Sequence, residues 1–299
     1  MTVQQLRPDR TATIGTVPRG RNANPDAVWR VFLRKPTARI FLPIVILIVL
    51  ASFVGPLFTV DPFAANNPTF VPPGGEFALG TDNLGRDYLA RVLMGGQVSL
   101  LVGFSVAVLC LTLALIVGGL AGFYGGFLDT VLVKISEFFQ VIPGLILALV
   151  AASLLGSNVT IIVAILAITM WPGVARVVRA EAMRISQLGY VESQRAAGFH
   201  SLRILWSDVL PNAMPPVMVA TTMTVARAIL AESGLSFLGI GDANRPSWGA
   251  LLNQAQPYIS TAWWLAVFPG LCIFLVVLAI NLLGDALNDA LNPSIGKVK

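Results

Sequence analysis

"GYVESQRAAGFHSLRILWSDVLPNAMPP" occupies residues 189–216, between two strongly apolar runs. It carries Glu192, Arg195, His200, Arg203 and Asp208. Arg176, Arg179, Glu181 and Arg184 lead into it. Each charge at the centre of a spanning helix costs about 2.5–3.5 kcal/mol, so four cost roughly 10–14, with no apolar run there to offset them. Residues from about 175 to 212 therefore belong outside a bilayer core. Such a stretch is either a solvated connection or the part through which the protein is driven.

The rest of the chain sets the frame. Its 299 residues are 56% hydrophobic and only 12% charged, where an ordinary soluble domain carries about a quarter charged residues. Apolar runs long enough to span a bilayer fall at about residues 40–58, 98–121, 128–155, 159–174, 217–238 and 263–283. The fold class is therefore all-α, a polytopic membrane protein with six transmembrane helices. With six spans, fifteen of the twenty Lys and Arg residues fall on one side and three on the other. The positive-inside rule puts both termini and the 189–216 stretch in the cytoplasm. This sidedness accounts for the net charge of +5 better than a nucleic-acid partner does.

The organisation read from this is a cytoplasmic tail over 1–38, a first helix over 39–60 and an extracytoplasmic segment over 61–97. A five-helix core over 98–288 and a cytoplasmic tail over 289–299 follow. The N-terminal tail lacks apolar periodicity and is expected to be disordered and to touch lipid headgroups. The first apolar run is too long for a cleaved signal core. The 61–97 segment is expected to form a small helical elaboration, with Asp82 placed for an Asx turn or N-cap. Trp248, Tyr258, Trp263 and Trp264 read as interfacial aromatics, or as contacts for a protein outside. Gly118, Gly122 and Gly126 repeat at helical spacing and predict close helix packing.

The charged stretch has internal design. The fourth span continues past residue 174 as an amphipathic helix that Gly189 can end. A short helix follows to Ala197, and Gly198 can close it in the left-handed conformation. Ser201 has the chemistry to cap a third helix. Pro211 stops or kinks that helix, and Pro215 and Pro216 start the next span.

Glu192, Ser193, Gln194, Gly198, Leu210 and Pro211 then resemble, in spacing, the cytoplasmic signature of ABC importer permeases: an EAA triplet, three further residues, a glycine, about nine residues and then Ile-x-Leu-Pro. Ser193 and Gln194 replace the alanines, and Asp208 stands where isoleucine is usual. "FALGTDNLGRDYLARVL" (77–93), "AILAESGLSFLGIG" (228–241), "PSWGALL" (246–252) and "TAWWLAVFPGLCIFLVVLAINLLGDALNDALNP" (261–293) are similar to the second, C-type permease subunit of dipeptide and oligopeptide importers. Nickel, opine and glutathione importers share this permease type.

The resemblance implies a type I importer permease in a bacterial inner membrane, importing peptides, or nickel or another small solute. It implies a second homologous permease, two ATP-binding cassette domains and an extracytoplasmic substrate-binding protein as partners. ATP and magnesium are expected on the ATPases, with no cofactor or metal on this chain. It assigns ATPase coupling to Glu192, Arg195, Ala196, Ala197, Gly198, Phe199, Leu202, Arg203, Leu210 and Pro211.

The residues agree with a chain driven from outside itself. There is no GxxxxGK[ST] phosphate loop, and the single histidine, His200, rules out an HExxH zinc site. No GxSxG elbow occurs, so no catalytic site is expected. An ion-gradient-driven transporter is the alternative class, but no internal repeat supports it. Polar residues within spans are functional candidates by default. They are Glu137 and Gln140 in the third span, and Arg227 and Glu232 in the fifth. Arg227 is compatible with a contact to a substrate carboxylate, or with a structural pair to Glu137 or to the partner permease. Glu232 reads as structural or gating.

Overall fold

The computed structural model describes residues 25–291. Of the two expected tails, residues 1–24 and 292–299 lie outside the described residues. Eleven α-helices fill the described chain: α1 (Pro25–Arg34), α2 (Pro36–Val54), α3 (Tyr88–Tyr124), α4 (Gly126–Val141), α5 (Gly144–Leu155), α6 (Val159–Ser186), α7 (Gly189–Ala196), α8 (Ser201–Ile204), α9 (Leu210–Phe237), α10 (Trp248–Ala255) and α11 (Trp264–Leu291). Among the described residues there is no β-strand, only two isolated bridges, in the loop before α3 and at its start.

The crossings follow from composition. Helix α3 runs 37 residues without a proline, and its N-terminus is capped by Asp87, which accepts from Ala90 N at 3.0 Å. Helix α6 is capped by Asn158, which accepts from Ile161 N at 2.9 Å. Helices α2, α3, α6 and α11 and the run Ser201–Phe237 are each long and apolar enough to cross a membrane. The third expected span is not one helix. It is the pair α4 and α5, bent by 77°. Pro143 supplies no amide donor and holds Ile142 extended, at φ −78° and ψ 122°, so the helix cannot run through. The broken pair is the sixth candidate crossing.

Helices α3 and α6 form the spine. A Cβ on Gly118 would strike Ala175 O, and one on Gly122 would strike Arg179 O. The two backbones therefore touch where any side chain would separate them. Gly126 does not join this stripe. It lies beyond the end of α3 at φ +58° with nothing near it. Buried Val102, Val106, Cys110, Leu166, Val174 and Val178 fill the seam, and Ile204, Leu205 and Val209 extend the same core.

Contacts fix which ends meet. Lys35 Nζ lies 3.0 Å from Asp289 Oδ2, so the start of α2 and the end of α11 share one end of the bundle. The Arg195 guanidinium sits 4.8 Å over the Phe123 ring, which brings the end of α3 and the charged loop to the same region. At the far end Val159 N donates to Asp242 at 3.3 Å, and Trp264 Nε1 to Thr81 O at 3.2 Å.

The 61–97 reading needs correction. Residues 61–87 form no helix, and α3 begins ten residues earlier than expected. Pro62, Pro68, Pro72 and Pro73 remove amide donors there, and Gly74, Gly75, Gly80 and Gly85 take positive φ. The loop is instead folded around Asp82. Its Oδ1 accepts from Leu84 N at 2.9 Å, the Asx turn expected, and from Arg86 N at 3.0 Å. Trp248 and Trp264 are not interfacial. Both are buried, and Trp248 Nε1 donates to Val92 O at 2.9 Å.

The α3–α6 seam predicts a contrast. Gly122→Leu forces the backbones apart and should cost about 1–3 kcal/mol or more, seen as a lower apparent Tm of the detergent-solubilised chain. Gly173→Ala, where nothing lies within 4 Å of the new Cβ, should leave it unchanged or higher.

Candidate functional site

The charged loop is seated on the bundle through Val191 and Arg195. Helix α6 ends at Ser186, and Leu188 caps α7, so Gly189 opens the short helix rather than closing the previous one. Val191 is the one buried side chain of α7. Arg195 stacks on Phe123, a cation–π contact worth about 0.5–1 kcal/mol when exposed. Gly198 takes φ +80° and donates to Arg195 O at 3.0 Å, while Phe199 N reaches Gln194 O at 3.1 Å. These two bonds form the Schellman end that the glycine predicts. Partial burial, with the Asp208 carboxylate nearby, pushes the Tyr190 hydroxyl above the ordinary phenol range, so it stays a neutral group.

Two sequence readings of the next helix change. His200, not Ser201, occupies the cap position, and no side chain caps it. Pro211 does not stop the chain. The helix widens into a π turn at Leu205–Val209, with Leu210 N reaching back to Leu205 O. That turn precedes Pro211, which has no N–H to offer, and α9 runs on through Pro215 and Pro216. The loop and the next crossing are thus one continuous rod, Ser201–Phe237.

Of the ten coupling candidates, Glu192, Arg195, Ala196, Ala197, Gly198, Phe199, Leu202, Arg203 and Pro211 are exposed. Leu210 is not. It is buried against Gly119, because it falls on the face of α9 that meets α3. Phe199, Leu202 and Trp206 leave 46%, 44% and 50% of their surface uncovered, an apolar patch beside the charges of Glu192 and Arg203. Behind it lie the buried Ile204, Leu205 and Val209.

Within the bundle, a cavity of about 420 Å³ opens between α6, α9 and the end of α4. Gln140, Thr169, Arg176, Thr224 and Arg227 provide its polar lining. Sequence reading found Gln140 and Arg227 but treated Arg176 only as a topology signal. The missed signal is spacing. Thr169, Gly173 and Arg176 share one face of α6, as Ala220, Thr224 and Arg227 share one of α9. Glu137 lines a neighbouring cavity with Gln140, Arg176 and Arg179. It pairs with Lys134 at 2.8 Å, not with Arg227. Arg179 makes a two-point bond to Asp129, with Nη2 at 2.6 Å, tying α4 to α6.

Glu232 is elsewhere. It is buried at the far end, accepting from Ser236 at 2.6 Å and from Ser99 on α3 at 3.1 Å. Its carboxylate joins α9 to α3 and lines neither cavity. Sequence reading also missed the ion network beside it. Asp82 Oδ2 lies 2.7 Å from both Arg86 and Arg91, and Arg91 reaches Gln254 at 2.8 Å. Asp82 and Arg91 are almost fully buried.

Residues 114–297 match the family of the binding-protein-dependent transport system inner membrane component, and residues 26–73 match the N-terminal TM domain of oligopeptide transport permease C. A Brucella suis protein named a peptide transport system permease is 40% identical over 267 residues, covering 88% of this chain and 90% of the relative. The di/tripeptide transport system permease of Pseudomonas aeruginosa is 37% identical over 276 residues, covering 89% and 91%. A solved structure of the MetNI methionine ABC transporter aligns with a TM-score of 0.51 at 20% identity, over 65% of this chain and 93% of that one.

Asp82→Ala strands the buried Arg91 charge and should destabilise by about 3–5 kcal/mol. A thermal scan should show this as a large drop in apparent Tm. The double change Asp82→Leu with Arg91→Met should recover most of the loss.

Proposed function

The chain belongs to the family of binding-protein-dependent transport system inner membrane components, and from that premise we propose how it works. It is a multi-pass inner-membrane permease subunit of an ABC importer, and ATP is hydrolysed by partner ATPases rather than by this chain. We infer that the cargo is a short peptide, which the similarity to peptide and di/tripeptide permeases over nearly the whole chain supports. We further infer that the α7–Gly198–α8 segment faces the cytoplasm and docks in one ATPase, and that a second homologous permease completes the pathway. On this reading ATP and magnesium bind the ATPases, and a substrate-binding protein meets the far end.

The observation that carries the coupling proposal is the seating of the loop. Exposed Leu202 stands on a helix that continues without a break into α9, and exposed Phe199 lies in the link just before that helix. A push on Leu202 is therefore carried toward Arg227 along one helical run. Arg195 on Phe123 and buried Val191 pass the same push to α3 and α6. A small contact of mixed polarity suits an interface that must hold while it rocks.

Gly198→Pro tests this. Proline cannot adopt φ +80° and removes the donor to Arg195 O. In proteoliposomes with the complete importer, ATP-driven peptide uptake should fall at least about tenfold, an effect of little more than 1 kcal/mol on the coupled state. The variant chain should still insert, and Gly189→Ala, with open space around it, should transport normally. Normal uptake by Gly198→Pro would falsify the coupling assignment.

A further inference from the structure

The cavity between α6, α9 and α4 has an unbalanced charge. Arg176 and Arg227 both line it, and no carboxylate does. Neither guanidinium has an ion-pair or hydrogen-bond partner among the described residues. The acids nearby are already engaged, Glu137 by Lys134 and Asp129 by Arg179. An unpaired cation that lines a cavity between membrane-crossing helices persists where it faces water or an anion, and it marks a substrate path by default.

The two cations also differ in depth. Arg227 lies ten residues before the far end of α9, about 15 Å along the helix at 1.5 Å per residue. Arg176 lies 17 residues from the far end of α6, about 25 Å along it. Val159, at the far end of α6, donates to Asp242 in the loop that follows α9, so the far ends of both helices lie on one side of the bundle. Arg176 therefore stands nearer the charged loop than Arg227, by on the order of 10 Å. Thr169 and Thr224 give their hydroxyl protons to their own helix backbones. That leaves the guanidinium forks as the strong donors in the space.

We propose that Arg227 and Arg176 are successive contacts for the carboxylates of the cargo, so that the pathway selects for anionic groups. This rests on the reading of the chain as a peptide permease. A carboxylate entering from the far side meets Arg227 first. It can pass to Arg176 without crossing an uncompensated apolar gap, because both face one cavity. Cargo with an additional carboxylate gains from the pair, and cargo with an additional cation is opposed by it.

The test is a selectivity ratio in the complete importer reconstituted in proteoliposomes. ATP-driven uptake of Ala-Asp-Ala is divided by that of Ala-Lys-Ala, so the amount of active complex cancels. Arg227→Gln should lower this ratio about tenfold, which is about 1.4 kcal/mol. Arg227→Lys should keep most of it, and Arg176→Gln should lower it as well. An unchanged ratio in both glutamine variants overturns the proposal. So does equal loss of both peptides. Failure of Arg227→Gln to assemble also overturns it, because Arg227 is then a structural partner of another subunit. If the wild-type importer carries neither peptide with ATP, the peptide reading itself falls, and this inference falls with it.

Discussion

Backbone contact between α3 and α6 is the constraint on which the rest depends. Gly118 and Gly122 let the α6 carbonyls of Ala175 and Arg179 approach where a methyl group would collide. That seam fixes the direction of α6. The next residues of the chain are the charged loop, and the side chains on the opposite face of α6 line the cavity. Close packing without side chains is how helices gain contact energy in lipid, where there is no hydrophobic drive to associate. The same stripe thus sets both the position of the loop and one wall of the cavity.

A rod then links the two. A proline in the interior of a helix ordinarily breaks or kinks it. Here the π turn at Leu205–Val209 absorbs Pro211, and the helix continues from Ser201 to Phe237. The bend at Pro143 is the opposite case. There the chain breaks by 77°, and the end of α4 presents Gln140 to the cavity. One proline is accommodated in a continuous helix, and the other shapes the cavity beside it. At the far end Glu232 with its serines, and Asp82 with Arg91, lock α9 and α3 to the loops. Motion introduced at the loop end is therefore set against a fixed far end.

Much of this was legible in the sequence, for identifiable reasons. Long apolar runs suit a bilayer crossing, so the crossings could be read from composition. The φ of Gly198 could be read because only glycine occupies that conformation cheaply at a helix end. The buried ion network could not be read. Asp82, Arg86 and Arg91 look like ordinary outer-loop charges until tertiary packing brings in Gln254. The same holds for Trp248 and Trp264, whose polar edges find backbone carbonyls rather than headgroups. Leu210 sits within a coupling motif yet faces α3, since motif spacing does not reveal which side of a helix is covered. Glu232 and Arg227 share one helix but part company because they project from different faces of it.

The central claim is that exposed residues of the 189–211 loop take the push of an ATPase and pass it along α9. A photo-crosslinking amino acid placed in turn at Phe199, Leu202 and Phe237 of the assembled importer tests it most directly. Phe199 and Leu202 should capture an ATPase subunit, with the yield changing between ATP-bound and nucleotide-free states, and Phe237 should capture none. Capture of the ATPase from Phe237, or its absence from both Phe199 and Leu202, would contradict the account.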